Sequence, residues 1–140
     1  MTTQEGKARG RFEVLTDEEC RELLGARTVG RIGFVGPDGP EILPVNYVLH
    51  GGAVMFRTAP YNIVAASVRG QRVAFEVDEL DDFLQGGWSV LVVGEAEFVE
   101  EDDELPSVLS ERPEPWAEGS RPLYVRISTA RITGRRVHPK

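Results

Sequence analysis

The run Arg57-Thr58-Ala59-Pro60 has the composition of an anion-binding site. A strand is predicted to end here and a helix to begin within two or three residues, because Pro60 suits the first turn of a helix. Free backbone N–H groups at the helix start, the Thr58 hydroxyl and the Arg57 guanidinium would together hold a phosphate. The structural alternative is that Thr58 only caps the helix while Arg57 pairs with a surface carboxylate.

Other reactive side chains have structural interpretations. Cys20 lies on the packing face of a predicted helix and is interpreted as a core residue. His50 directly precedes Gly51-Gly52 and is interpreted as a turn residue at a strand end. A cluster of carboxylates is predicted to form a solvated loop, since it lacks the ligand spacing of a calcium site; its members are Asp78, Glu79, Asp81 and Asp82. No metal site is predicted.

The basic C-terminal residues have two interpretations, surface charge or an anion contact at a barrel rim. They are Arg131, Arg135, Arg136 and Lys140. The common signatures of phosphate-binding loops, dinucleotide folds, esterases and zinc proteases do not occur in the sequence. These patterns therefore leave the anion sites as the main functional candidates.

Composition excludes several classes of partner. The 140 residues carry a net charge of −7 with a pI near 4.9, which argues against nucleic acid as a ligand. The single cysteine excludes an intrachain disulfide. No apolar run is long enough to span a bilayer and the N-terminus has no hydrophobic signal core, so we expect a cytoplasmic protein without membrane contact.

The order of predicted elements positions the anion site. Residues 1–11 are expected to form a flexible arm, and residues 12–140 one domain. A capping box from Thr16 to Glu19 starts a short helix. Alternating segments then predict three strands in meander order, from Thr28, from Glu41 to Leu49 and from Ala53 to Thr58. Glycine-containing turns separate these three strands.

The second half of the chain continues this pattern. A short helix is predicted before Gly70, and strands over Arg72–Val77, Trp88–Val93 with an extension to Val99, Leu123–Ile127 and Ala130–Val137. Gly94 is a candidate bend, and a helical turn is expected near residues 105–109. Because strands outnumber helices, the predicted fold class is mainly β, a small antiparallel barrel with short peripheral helices.

An ordered set of short motifs resembles the flavin-binding split barrels related to pyridoxamine 5′-phosphate oxidase, including the branch near nitroimidazole-resistance proteins. The motifs extend from Leu15 to Val137. They are Leu-Thr-Asp-Glu-Glu-Cys at 15–20, Gly-Arg-Ile-Gly-Phe at 30–34, Pro-Val-Asn-Tyr at 44–47, Phe-Arg-Thr-Ala at 56–59, Phe-Glu-Val-Asp at 75–78, Gly-Trp-Ser-Val at 87–90 and Ile-Thr-Gly-Arg at 132–135.

The resemblance implies an antiparallel split β-barrel, a homodimer and FMN bound in the clefts between two barrels. It also implies an FMN-dependent oxidoreductase acting on a small molecule. The implied cofactor-binding residues are Pro44, Val45, Asn46, Arg57, Thr58, Ala59, Asn62, Trp88 and Ser89. Of these, Trp88 and Ser89 would reach the cleft from the partner chain.

One departure from the family pattern leaves alternatives open. Related sequences often carry a lysine a few residues after the threonine, whereas Tyr61-Asn62-Ile63-Val64 has no basic residue. A deazaflavin or haem in place of FMN, a non-catalytic binding or sensing module, and a cofactor-free dimer are therefore the alternatives. Arg136-Val137-His138 matches in letters the Arg-x-His with which the oxidase reads its substrate phosphate.

Overall fold

The computed structural model describes residues 11–59, 62–99 and 123–139. The strands of this part are β1 (Phe12–Val14), β2 (Val29–Gly36), β3 (Gly39–His50), β4 (Ala53–Thr58), β5 (Arg72–Asp81), β6 (Gly86–Val99), β7 (Leu123–Ile127) and β8 (Arg131–Val137). The helices are α1 (Asp17–Gly25) and α2 (Ile63–Ser67). Most of the predicted arm lies outside the described residues, as does the helical turn expected at 105–109.

Six strands close an antiparallel barrel. Each strand pairs with its neighbour in the order β2, β3, β4, β7, β6, β5, and β5 returns to β2. β8 adds to the free side of β6, and β1 pairs with β8 at the edge of this extension. The predicted fold class, a mainly β antiparallel barrel with short helices, is confirmed.

Gly94 is where β6 changes partners. Before this residue β6 pairs with both β5 and β8, and from Ala96 onward it pairs with β7. A Cβ atom at Gly94 would overlap the backbone carbonyl oxygen of Ser128. Glycine is therefore required for a close backbone approach at this candidate bend.

The tight turn between β3 and β4 follows directly from the sequence. Gly51 and Gly52 adopt φ angles of 59° and 80°. Positive φ at both central residues gives the turn whose twist matches a two-residue hairpin, and glycine adopts it without steric cost. The register His50↔Ala53 closes this hairpin.

The helix α1 closes one side of the core. The Thr16 hydroxyl accepts from the Glu19 N–H at 3.1 Å, while the Glu19 carboxylate accepts from the Thr16 N–H at 2.8 Å and has its pKa lowered by that bond. The predicted capping box is thus confirmed. Cys20 and Leu24 of α1 are fully buried against the core, and burial raises the pKa of the Cys20 thiol. Cys20 is a core residue, as predicted.

Two features differ from the sequence-based expectation. The carboxylates Asp78, Glu79 and Asp81 belong to β5 and pair with β6, because strand pairing continues four residues past the apolar part of β5. The second helix begins at Ile63, later than predicted.

No described helix is long and apolar enough to span a bilayer, and the longer of the two has nine residues.

Candidate functional site

The predicted cofactor residues fall into two groups on the barrel. One group lies where β3 and β4 diverge, and comprises Pro44, Val45, Asn46, Arg57, Thr58, Ala59 and Asn62. The other consists of Trp88 and Ser89 near the start of β6. We describe the two groups in turn.

The first group surrounds a fork between two strands. Up to Asn46, β3 pairs with β2, and from Tyr47 onward it pairs with β4. The β3–β4 ladder stops at the pair Tyr47↔Phe56, so Asn46 and Arg57 flank the opening of the fork. Pro44 and Asn46 are exposed, whereas Val45 and the run Arg57–Ala59 are half-buried. Accessible polar groups therefore meet at one end of the barrel.

The helix start after this fork differs from the predicted phosphate cradle. Asn62, not Thr58, is the N-cap of α2, and its Oδ1 accepts from the Val64 N–H at 2.7 Å. The Asn62 side chain therefore caps the helix, which is the role that the structural alternative gave to Thr58. Since α2 has only five residues, its dipole contributes little to anion binding. Any phosphate grip here depends on side chains.

The second group borders a cavity of about 410 Å³. The cavity lies between the β5–β6 hairpin and the end of β8, and its lining includes Leu80, Gly87, Trp88, Ser89 and Arg135. Trp88 is only 8% exposed and packs in the hydrophobic core, and the Arg27 guanidinium lies 5.7 Å from its ring centroid. This cavity has an apolar wall with a hydroxyl and a cation at its edge, which is the usual chemistry of a small-molecule pocket.

Polar side chains flank Ser89 on both sides of β6. Register places Ser89 between Asp78 of β5 and Arg135 of β8. One step along the sheet, Glu76 of β5 faces Arg31 of β2, with Arg31 Nη1 at 2.8 Å from Glu76 Oε1 and at 3.3 Å from Asp78 Oδ2. Burial and the neighbouring Asp78 raise the pKa of Glu76 to about 7, against the opposing effect of Arg31.

The two groups of predicted residues do not meet within one chain. Asn46 and Ser89 lie on β3 and β6, which are separated by β5 and β2 in the sheet order. Three strand spacings amount to about 14 Å around the sheet. Arg57 and Asn46 therefore lie on the two sides of the β3–β4 fork, Trp88 and Ser89 are consecutive in β6, and the structure keeps these two pairs apart.

Comparison with known proteins gives the family. The model of the family described as pyridoxamine 5′-phosphate oxidase matches residues 16–136, most of the chain. This chain belongs to the pyridoxamine 5′-phosphate oxidase family. The uncharacterized protein Rv0080 of Mycobacterium tuberculosis is 34% identical over 128 residues, which cover 88% of this chain and 84% of the relative.

Solved members of similar fold include two proteins described as FAD-binding. The protein from Mycobacterium smegmatis has a TM-score of 0.69 and 29% identity, covering 90% of this chain and 98% of its own. The protein from Mesorhizobium loti has a TM-score of 0.72 and 25% identity, covering 91% of this chain and 98% of its own. The fold of this oxidase-family chain is thus shared along nearly its whole length.

The Arg-x-His letters of this family member line neither the cavity beside Trp88 nor an adjoining cavity of about 420 Å³ that shares Ser89 and Arg135 with it. Arg136 lies on the opposite face of β8 from Arg135, and its Nε is buried without a hydrogen-bond partner among the described residues. His138 Nε2 lies 2.7 Å from Glu13 Oε1. The match in letters therefore does not correspond to a substrate-reading pair in these cavities.

Sequence reasoning did not identify Arg31 and Glu76 as parts of a site beside Ser89, whereas it gave Arg135 as a candidate anion contact at a barrel rim. Glu76 and Arg135 line a cavity directly, whereas Arg31 acts through its ion pair. The signal was present as polar residues at the outward positions of otherwise apolar strands. The register between strands places these residues beside Ser89, and it cannot be predicted from the sequence of each strand taken alone.

Proposed function

We propose that this chain binds a flavin and acts as a flavin-dependent oxidoreductase on a small molecule, with FMN as the leading cofactor. The observation that carries the proposal is the cavity against Trp88 and Ser89, in a chain whose family match spans all the predicted cofactor residues. A bound flavin supplies the hydride or electron transfer itself. The protein's tasks are then to bind the ring, orient it and exclude water.

The proposed placement assigns a task to each group of residues. The isoalloxazine ring lies against Trp88, and the Ser89 hydroxyl offers a hydrogen bond to its polar edge. Arg57 and Thr58 hold the phosphate, while Pro44–Asn46 line the approach to it. Because about 14 Å of sheet separates the groups in one chain, a second copy that brings its Trp88 to the first copy's Arg57 would complete the site.

Properties of the outer sheet face support such a homodimer. Val29, Val35 and Ile42 lie on this face and are 54%, 58% and 70% exposed, so several large apolar side chains share one exposed surface. Arg31 and Glu76 supply both signs of charge on the same face. A two-fold interface requires a self-complementary patch, and a patch with both charges meets that requirement.

FMN, FAD and a deazaflavin share the tricyclic ring, so the ring cavity accepts each of them. The two relatives described as FAD-binding make FAD the first comparison in any titration. Haem is less well supported, because no histidine or cysteine is among the described residues that line the two cavities. His138 is the histidine nearest in sequence to the cavity residue Arg135, and its Nε2 already lies 2.7 Å from Glu13 Oε1.

A non-catalytic flavin carrier or sensor is the second candidate. It is favoured by the weak phosphate grip, since residues 61–64 have no basic side chain and α2 is only five residues long. Both candidates bind flavin and differ only in turnover. Oxidation of a reduced nicotinamide or deazaflavin donor by the loaded protein would support the enzyme, and its failure with all donors would support the carrier.

The binding experiment is a titration of the purified chain with FMN and with FAD, followed by flavin absorbance and fluorescence. Arg57→Ala should weaken FMN binding by about 1.5–3 kcal/mol if a charged hydrogen bond holds the phosphate. Arg126→Ala is the matched control, since Arg126 is an exposed arginine on the adjacent strand β7 and pairs with Glu97. Equal affinities of the two variants would remove Arg57 from the site, and no binding of any flavin would refute the proposal.

Sedimentation of the chain with and without FMN tests the dimer. The proposed placement predicts a dimer in both conditions, stabilised by the cofactor because the cofactor contacts both copies. A loaded monomer would contradict the shared site while leaving flavin binding itself intact.

A further inference from the structure

A second cavity, of about 420 Å³, adjoins the proposed ring cavity. The two cavities have Ser89 and Arg135 in common. The second is also lined by Phe12, Val14, Glu76, Leu91, Thr133 and Gly134. A ligand in it would therefore lie directly beside whatever occupies the first.

The walls of this second cavity are largely apolar. Phe12 and Val14 belong to β1, a three-residue strand at the edge of the sheet, and are 60% and 73% exposed. Leu91 lies two strands away on β6 and is half-buried. Apolar side chains that surround a concave space gain free energy when an apolar ring displaces water from them.

Arg135 supplies the positive charge of the second cavity. Its guanidinium carbon lies 5.7 Å from the centre of the Phe12 ring, at the boundary between the two cavities. Arg135 forms no ion pair within residues 11–59, 62–99 and 123–139. The acid of this cavity, Glu76, is by contrast paired with Arg31 at 2.8 Å. The guanidinium is therefore available to an anion.

The chemistry favours a carboxylate over a phosphate. One planar guanidinium matches a carboxylate through two parallel hydrogen bonds. A phosphate would require further donors, and the described lining offers no helix start and only the hydroxyls of Ser89 and Thr133 beside the charge. The Phe12 ring lies beside the guanidinium and is 60% exposed, so it offers apolar contact to a ligand ring held at Arg135.

We infer that this second cavity binds a small aromatic carboxylate, with its ring between Phe12 and Leu91 and its carboxylate on Arg135. Binding at this site does not depend on the flavin. That the ligand is the substrate class of the oxidoreductase does rest on the proposed function, because it requires a flavin in the adjoining cavity.

The test is an NMR titration of the flavin-free chain with benzoate, with benzamide as the neutral isostere and with inorganic phosphate. Benzoate should bind saturably and shift the amide signals of Phe12, Leu91 and Thr133. Benzamide should bind roughly tenfold more weakly or worse, because it cannot pair with the guanidinium. Phosphate should leave these three signals unchanged, and a phosphate response equal to that of benzoate would overturn the choice of ligand.

Two arginine variants on β8 separate the site from general charge. Arg135→Gln should weaken benzoate binding roughly ten- to a hundredfold. Arg131→Gln removes the same charge from the same face of β8 but lies outside the lining of either cavity, so it should bind benzoate as the unaltered chain does. Unchanged dispersion of the amide spectrum shows that each variant is folded. Equal affinity in the two variants would refute the assignment.

A second copy that fills the cavity would show as benzoate binding that disappears as protein concentration rises, which would also overturn the inference. Adding benzoate to the flavin-loaded protein tests the adjacency. A shifted flavin absorption band supports a ligand beside the ring, and an unchanged band would overturn the substrate role. If the chain bound benzoate but no flavin, the proposed function would fail and the carboxylate site would stand.

Discussion

Replacement of Glu76 by Gln should change how the stability of the protein depends on pH. The carboxyl lies beside Asp78 on β5, half-buried against Arg31, and burial is the main reason that its pKa rises from 4.5 to about 7. Between these two pH values the folded state binds more protons than the unfolded state. The free energy of unfolding contributed by this group is therefore full below about pH 4.5 and falls as pH rises toward 7.

The magnitude follows from the pKa change and the exposure of the side chain. A fully shielded carboxyl with this shift would lose about 3 kcal/mol of stability across the window, at 1.36 kcal/mol per unit. The Glu76 side chain is 33% exposed, so solvent screening reduces the expected loss to about 1 kcal/mol. Glu76→Gln removes the titration, and the variant should be the more stable protein at about pH 8 by that amount.

Urea unfolding, followed by tryptophan fluorescence at about pH 4.5 and about pH 8, measures this difference, since urea does not screen charge. Subtracting the variant from the unaltered protein cancels the titrating groups that do not interact with Glu76. Glu97→Gln is the control, because Glu97 is an exposed glutamate of β6 paired with Arg126, and it should follow the pH dependence of the unaltered chain. A difference for Glu76→Gln that stays constant with pH would refute the reasoning.

Two further substitutions test the core and the bend of β6. Gly94→Ala should prevent folding or cost about 3 kcal/mol or more, because the new Cβ would overlap the Ser128 carbonyl. Gly33→Ala is the control, because its new Cβ would meet its nearest atom at 3.7 Å and should be tolerated. Thermal unfolding of both variants checks the contrast. Tyr47→Phe should lower the free energy of unfolding by about 1–3 kcal/mol, because it leaves the buried Leu24 carbonyl without the hydroxyl that donates to it. In an absorbance titration, the phenol whose pKa is raised to about 12 should be absent from the same variant.

Local signals in the sequence predicted most of the fold. The capping box at Thr16 and Glu19 and the Gly51-Gly52 turn each depend on residues within a few positions of one another. Hydrophobic alternation similarly placed the strands, because a strand with one buried face needs a period of two. Such features are set by local geometry, and the structure has them where the sequence indicated.

The extent of β5 and the start of α2 could not be predicted in this way. Asp78 and Glu79 read as loop residues, yet they continue β5 because β6 offers them a pairing partner far along the chain. Thr58 and Asn62 are both good helix caps, and the sequence alone does not decide which one the backbone uses. In each case the deciding interaction is between segments, or depends on where the preceding strand ends.

The candidate site shows the same limit more strongly. Ser89, Asp78 and Arg135 come from three strands, and only their register places them in one row. The resemblance assigned a cofactor role to Ser89, whereas Asp78 and Arg135 belong to motifs of the same set without an assigned cofactor role, and only register relates them to Ser89. Within the described residues no charged residue is fully buried, so apart from interior groups such as the Tyr47 hydroxyl and Arg136 Nε the polar chemistry of this barrel lies on its outer faces and rims. A site built on an outer face has one side open, and its second wall must come from a ligand or from another copy of the chain. The pairing of Arg57 with a distant Trp88 in the proposed dimer and the carboxylate beside Arg135 are two consequences of that single property.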